Sequence, residues 1–274
     1  MSLFRLCNND DLLILLQKTF KANPIKIPEE RIQPLVVFSG KNKNYKYIGG
    51  IEYLLNDTSS MNLQLGSSKM ANLSATQSKS IDTKLGLQVM DGFLQGFGTE
   101  GVSLDFAFES VKKVSFSFQN VYRSYIDIGK LCMELSKRKF NLKHPVNQSF
   151  INETEKCIIV DSIITSNNFS MKVEETSNQD FKFDIPEIQN ILSSSGNKIS
   201  AKSSNSLDIS FQGDKSLAFA FSCFAINCDE DGSIYYDGEA DKMHLTTIPN
   251  ENDEVTPPII DLLDTEYGFL DIEY

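Results

Sequence analysis

The chain has 274 residues, 41% of them apolar, which is enough for one large or two small domains with a buried core and too apolar for a disordered chain. A formal charge of −11 argues against nucleic acid as a general partner. Five cysteines, at 7, 132, 157, 223 and 228, are odd in number and lack CxxC spacing, so they fit reduced thiols better than a disulfide framework.

In chain order, Leu12–Phe20 reads as a short helix behind Asp10 and Asp11, ended by Pro24 and Pro28. Pro34–Phe38 is a strand, and Tyr45–Leu55 a strand pair around Gly49-Gly50. Residues 58–84, rich in Ser, Thr, Asn and Lys, form a surface segment. Leu85–Gly98 is a glycine-spaced apolar stretch compatible with helix or strand. Two clear period-2 runs follow: Val102, Leu104, Phe106 and Phe108, then Val114, Phe116 and Phe118. Tyr122, Tyr125, Ile126, Cys132 and Leu135 fall at helical spacing, and that helix ends at Lys137-Arg138-Lys139, where cations suit its dipole. Ile158–Ile164, Phe169–Val173 and Phe181–Ile185 are strands, Pro186–Leu192 a short helix. Strands at Ile199, Leu207–Phe211, Leu217–Ile226 and Ile234–Tyr236 finish the body. The expected fold is α+β, with a mainly antiparallel sheet and surrounding helices.

The acidity is concentrated at one end. Met243–Tyr274 holds eight acids and no Lys or Arg, leaving 29 acids against 26 bases, a body of −3. The same stretch carries Ile259, Ile260, Leu262, Leu263, Tyr267, Phe269 and Leu270. A solvating tail needs no such residues, so this one is expected to pack on the body, although about 18 residues after Pro257-Pro258 are too few for a core of their own. Glu239–Thr256 is polar and free of strand pattern, an exposed linker in which a protease could act. Asp241, Lys242, Met243, Leu245 and Asp253 each suit some protease class, and the sequence does not choose among them.

Catalytic and metal motifs fail. His144 and His244 lie far apart, without Cys, Asp or Glu at ligand spacing. There is no GxSxG elbow, and Ser39-Gly40-Lys41 lacks the rest of a phosphate loop. Ser195-Gly-Asn-Lys198 matches SxxK by letter only and reads as a turn between strands. Asn227–Gly232 copies the start of an EF-hand loop, but its twelfth position is Gly238 and its flanks are strands, so a hairpin turn is expected. An enzyme is not expected, nor any cofactor.

No stretch approaches the roughly 20 apolar residues of a membrane helix, and no secretory signal pattern is visible. Membrane contact would then come by binding, lipidation or strands. Cys7, beside Leu3, Phe4 and Leu6, fits either a small buried hydrophobe or an S-acylation site. The runs at 102–109 and 114–119 suit a half-buried sheet, and equally a membrane barrel with Asp105 and Glu109 on the polar face.

Pro24–Leu35 resembles the opening segment of the bacterial gasdermins. The likeness continues through Met70–Ala75, Val111–Phe118, Asp184–Gln189 and Phe219–Ala225, over roughly residues 10–240. The resemblance implies a gasdermin-like pore-forming body (1–242), a linker (243–256) and an autoinhibitory C-terminal peptide (257–274) that packs on a twisted sheet. It implies a cytoplasmic monomer activated by a partner protease, often caspase-like, which then oligomerises in the inner membrane as a large β-barrel pore and kills the cell, limiting phage spread. It also implies a palmitate on an N-terminal cysteine, for which Cys7 is the candidate. Loss of the acidic peptide would suit anionic or mixed lipid, with Lys112, Lys113, Lys137, Arg138 and Lys139 as headgroup candidates beside the alternative of ordinary solvated surface. Two other readings stay open: a pore triggered by partner pairing or by redox change at Cys223 and Cys228, or Cys132 and Cys157, and a protein whose tail docks a partner.

Overall fold

The computed structural model describes residues 17, 20–41, 44–74, 92, 95–96, 113–174, 198–203, 206–236, 243–244, 263, 270 and 272–274, some strand residues by backbone alone. Its spine is a pair of long antiparallel strands, β8 (Lys156–Glu174) and β10 (Ser206–Cys228), registered from Ser206 opposite Glu174 to Ile226 opposite Cys157. The sequence divides each into two strands. The chain instead runs through the polar links, because a ladder needs only backbone groups and bulges absorb the mismatch. One bulged residue is Asp161, which falls between the pairs Val160–Cys223 and Ser162–Ser222.

Short strands flank the spine in two rows. Along the outer edge of β8 lie β6 (Lys113–Gln119), β7 (Tyr122–Tyr125) and β2 (Val36–Lys41), which carry β5 (Leu73–Ser74), β4 (Gly66–Lys69) and β3 (Asn44–Gly50) respectively. Along β10 lie β9 (Lys198–Ser203), β1 (Asn23–Glu29) and β11 (Ile234–Tyr236), the last carrying β12 (Met243–His244). The thirteenth strand among the described residues, β13 (Ile272–Glu273), lies parallel to β3; every other named ladder is antiparallel. The sheet is thus mixed, within an α+β fold.

Two apolar layers sandwich the lower spine, which is why Cys157–Val160 reads as a continuous apolar run rather than an alternation. On one face Val37, Ile159, Phe224 and Ile226 meet Leu131 and Leu135 of α1 (Ile128–Leu135), Phe150 of α2 (Asn147–Ile151), and Ile51 and Leu54 of a 3-10 turn (Ile51–Leu54). On the other, Ile25, Ile32, Val36, Phe38, Tyr45, Ile158, Val160, Ile163, Phe221 and Cys223 form a second cluster.

Several expectations change. Pro24 and Pro28 lie within β1, an element the sequence reading missed, which tolerates them because a register shift interrupts its ladder with β10. Tyr45–Leu55 is one strand and a 3-10 turn: Gly49 takes φ +123°, and Ile51 and Leu54, three apart, bury together. Tyr122–Tyr125 is strand, and the helix begins only after Asp127, whose carboxylate accepts from the Lys130 amide at 3.0 Å. There, pairing with β8 and β4 outweighs an accidental helical spacing. The surface segment at 58–84 carries two short strands, and residues 75–84 lie outside the description. Within Leu85–Gly98, Gly92, Gln95 and Gly96 are helical, and the two glycines face β1 closely: a Cβ on Gly92 would stand 1.9 Å from the Lys26 carbonyl oxygen. The expected strands at 102–108 and Phe181–Ile185, the helix at Pro186–Leu192 and most of Leu12–Phe20 lie outside the described residues.

Candidate functional site

The C-terminal segment lies between two sheet edges. Leu270 bridges Ile25 of β1 in parallel: its amide donates to the Pro24 carbonyl at 2.9 Å, and its carbonyl accepts from the Lys26 amide at 2.8 Å. Two residues on, Ile272 stands opposite Tyr45 of β3, and Glu273 opposite Lys46. Successive strand residues point their backbone groups to opposite sides, so one extended segment can serve both edges. The order β1–β10–β8–β2–β3–C-terminal segment–β1 is therefore a closed ring, and its strand directions are mutually consistent. The second apolar cluster sits beside this closure, with Leu270 buried in it at 1% exposure and Leu263 and Ile272 packed against it.

Polar and aromatic groups pin the segment further. Asn23, fully buried, donates through Nδ2 to the Phe221 carbonyl at 3.4 Å and accepts from the Leu263 amide at 2.8 Å. The Tyr274 ring lies 5.5 Å from that of Tyr47, with the Arg31 guanidinium 3.9 Å above it. Glu29 holds Arg31 at 3.0 Å. Burial, then the Glu29 charge and a hydrogen bond to that carboxylate, push the Tyr274 phenol far above its usual range, so it stays a neutral donor.

Of the predicted packing residues, Leu263 and Leu270 are both on the sheet, while Ile259, Ile260, Leu262, Tyr267 and Phe269 lie outside the described residues. Ile272, Tyr274, Asn23, Glu29, Arg31 and Tyr47 were missed, although Leu270-Asp-Ile272-Glu-Tyr274 is itself a period-2 run. Met243 pairs with Tyr236 in a short ladder rather than lying in strand-free linker, because β11 offers it an open edge; Asp241, Lys242, Leu245 and Asp253 lie outside the description. Cys7, Val102, Leu104, Phe106, Phe108 and Lys112 do too, as do the side chains of Lys113, Val114 and Phe116.

Phe118, expected on an apolar strand face, is buried at 1% exposure, stacked 4.6 Å from Phe219 and tilted against Phe169 at 5.4 Å. Arg138 is 7% exposed: its Nη1 donates to the Asp57 and Ser59 carbonyls at 2.8 and 2.7 Å, so in this structure it fastens a loop rather than facing solvent. Lys137 pairs with Glu134 and Lys139 with Asp231, both at 2.7 Å.

The Asn227–Gly232 stretch closes the β10–β11 hairpin: Asn227 and Cys228 pair with Tyr235 and Ile234, and the turn follows, with Gly232 at φ +82°. An open cavity of about 610 Å³ beside it is lined by Glu153, Asp229, Glu230 and Asp231; Asp231 is already engaged by Lys139 and Ser233. Cys132, Cys157, Cys223 and Cys228 are thiols. Cys223 belongs to one core cluster and Cys228 to the other, with Cys157, so the Cys223–Cys228 pairing of the redox alternative is not prepared. Burial pushes the Cys228 thiol up to about 11 and the Cys157 thiol well above its usual value.

The sequence profile of the Bacterial Gasdermin Family matches residues 25–233. A gasdermin from a Vitiosangium species is 23% identical over 222 residues, 81% of this chain and 82% of the relative. One from a Desulfuromonadales bacterium is 25% identical over 209 residues, 74% of this chain and 77% of the relative. The solved structure of a bacterial gasdermin from Bradyrhizobium tropiciagri superposes with a TM-score of 0.59 at 14% identity, covering 86% of this chain and 93% of that one, which supports the fold. With the profile spanning most of the chain and two relatives aligned over most of their own lengths, this chain belongs to the bacterial gasdermin family, a family of pore-forming proteins rather than enzymes.

Proposed function

We propose that the chain is the self-inhibited precursor of a membrane pore, held closed by its C-terminal segment and released when that segment is cut away. One observation carries the reading: the segment is the closing strand of a ring, with Leu270 buried in the apolar cluster of that ring. Its departure would leave two unpaired edges and expose apolar surface, a state that lowers its free energy by associating with copies or lipid. With residues 257–274 would also go the five negative charges of Asp261, Asp264, Glu266, Asp271 and Glu273, which anionic headgroups repel.

The rest follows the family's known behaviour. The trigger is a protease, caspase-like or other, acting within 239–256. The body assembles as a β-barrel in the inner membrane, with Cys7 palmitoylated, and the resulting death of the cell limits phage. Among the described residues no helix is long and apolar enough to cross a membrane.

Dye release from anionic liposomes tests this by comparing the full chain with one ending near Asp253. Leakage from the truncated chain alone supports the reading. Leakage from neither refutes removal of the segment as a sufficient trigger.

A further inference from the structure

The gap between β1 and β3 is one strand wide, two inter-strand spacings or about 9–10 Å, and both of its walls are written in side chains and backbone that read a peptide. On the β1 wall Pro24 and Pro28 carry no N–H, so of the alternate residues 24, 26 and 28 only Lys26 can donate towards the gap, beside the Pro24 carbonyl. A strand that satisfies this pair has its register set by a single residue, here Leu270. The same register puts that side chain into the cluster of Ile25, Phe38, Tyr45 and Phe221. Two residues on, Ile272 packs against the same cluster and pairs with Tyr45, and two further, Tyr274 enters the clamp of Arg31 and Tyr47. Between them Glu273 stands opposite Lys46.

We infer that this gap is a strand-acceptor site that binds its peptide as a separable ligand, in trans, with the pattern Leu-acid-Ile-acid-Tyr read in parallel to β3. The inference rests on the reading of the segment as removable. It goes further in one respect: the described contacts of the segment, from Leu263 to Tyr274, are non-covalent and converge on the walls of the gap, so no covalent link to the body is needed. The ligand class is an extended acidic peptide of this pattern, and its binding re-closes the ring. A cut chain therefore stays closed until the peptide dissociates, and free peptide opposes opening.

The test uses the full chain with a protease site placed in residues 247–253, cut after purification, and a fluorescent synthetic peptide of residues 257–274. Exchange into the cut protein is followed by anisotropy and by co-elution on size exclusion. Saturable binding that unlabelled peptide reverses is expected, with affinity about 30-fold or more weaker for the peptide carrying Leu270→Asp, the lower end for loss of a buried leucine. A scrambled peptide of the same composition should not bind. No exchange at up to ~1 mM peptide, a high ceiling for a specific site, overturns the inference, as does equal binding by the scrambled or Leu270→Asp peptide. A parallel dye-release arm separates the two readings. Specific peptide binding to a cut protein that never leaks upholds the acceptor site and refutes the pore. Leakage that persists under peptide with no binding refutes the acceptor site and leaves the pore standing.

Discussion

Truncating Leu270 in the uncut chain should open the ring without a protease. The side chain is 1% exposed within the second apolar cluster. Leu→Ala at such a site costs about 2–5 kcal/mol. The described residues of the C-terminal segment lie at the ring closure and its apolar cluster, so the loss falls first on the local opening equilibrium. Converted at 1.4 kcal/mol per factor of ten, the open population should rise by about 30- to 4,000-fold. Hydrogen exchange reads the opening directly at the Lys26 amide, which donates to Leu270, and dye release from anionic liposomes reads its consequence. Leu270→Ala should show faster exchange at Lys26, unchanged exchange along the β8–β10 ladder, and leakage from the full chain. Faster exchange without leakage would refute gating by this segment. Unchanged exchange would refute the view that Leu270 holds it.

Four further outcomes are expected. Tyr274→Ala removes a ring under a guanidinium, at an exposed site a contact of about 0.5–1 kcal/mol; it should raise Lys26 exchange by about 2- to 5-fold, and Arg31→Ala should not add to it fully, because the two share one contact. Asp161 is buried, and burial raises its pKa above the ordinary 3.8 despite the Ser222 hydrogen bond at 2.8 Å. Its folded form holds a proton the unfolded form has lost, so stability falls as pH rises from 3.8 through the raised value, and Asp161→Asn should flatten that part of the melting-temperature profile. Gly92→Ala would place a Cβ 1.9 Å from the Lys26 carbonyl oxygen; overpacking of about 1–3 kcal/mol should appear as a lower urea midpoint. In native protein, maleimide should label the half-buried Cys132 before Cys157, Cys223 or Cys228, which should react only after denaturation, as mass spectrometry of the labelled peptides would show.

What the sequence determined by itself was local and compositional. The period-2 run at Val114–Phe118 announced a strand, because half-buried strands must alternate; the hairpin turn within Asn227–Gly232 and the packing of Leu263 and Leu270 from an acidic but apolar C-terminal segment were legible for similar reasons. The resemblance carried by Pro24–Leu35 and the later segments pointed to the family. What only tertiary structure decided was partnership. Nothing local distinguishes Pro24–Pro28 from a breaker, because it is a strand only when β10 lies on one side and Leu270 on the other. Tyr122–Tyr125 fits a helix until β4 and β7 pair across a gap of more than fifty residues. Arg138 looks like a surface cation until two carbonyls of the Asp57–Ser59 loop reach it. The ring closure depends on backbone groups whose positions carry no side-chain signature, and on Asn23, Arg31 and Tyr47 meeting Leu263 and Tyr274 from more than two hundred residues away. Periodicity reports which face of an element is buried; it cannot report which other element does the burying, and that pairing is what makes this C-terminal segment a closure.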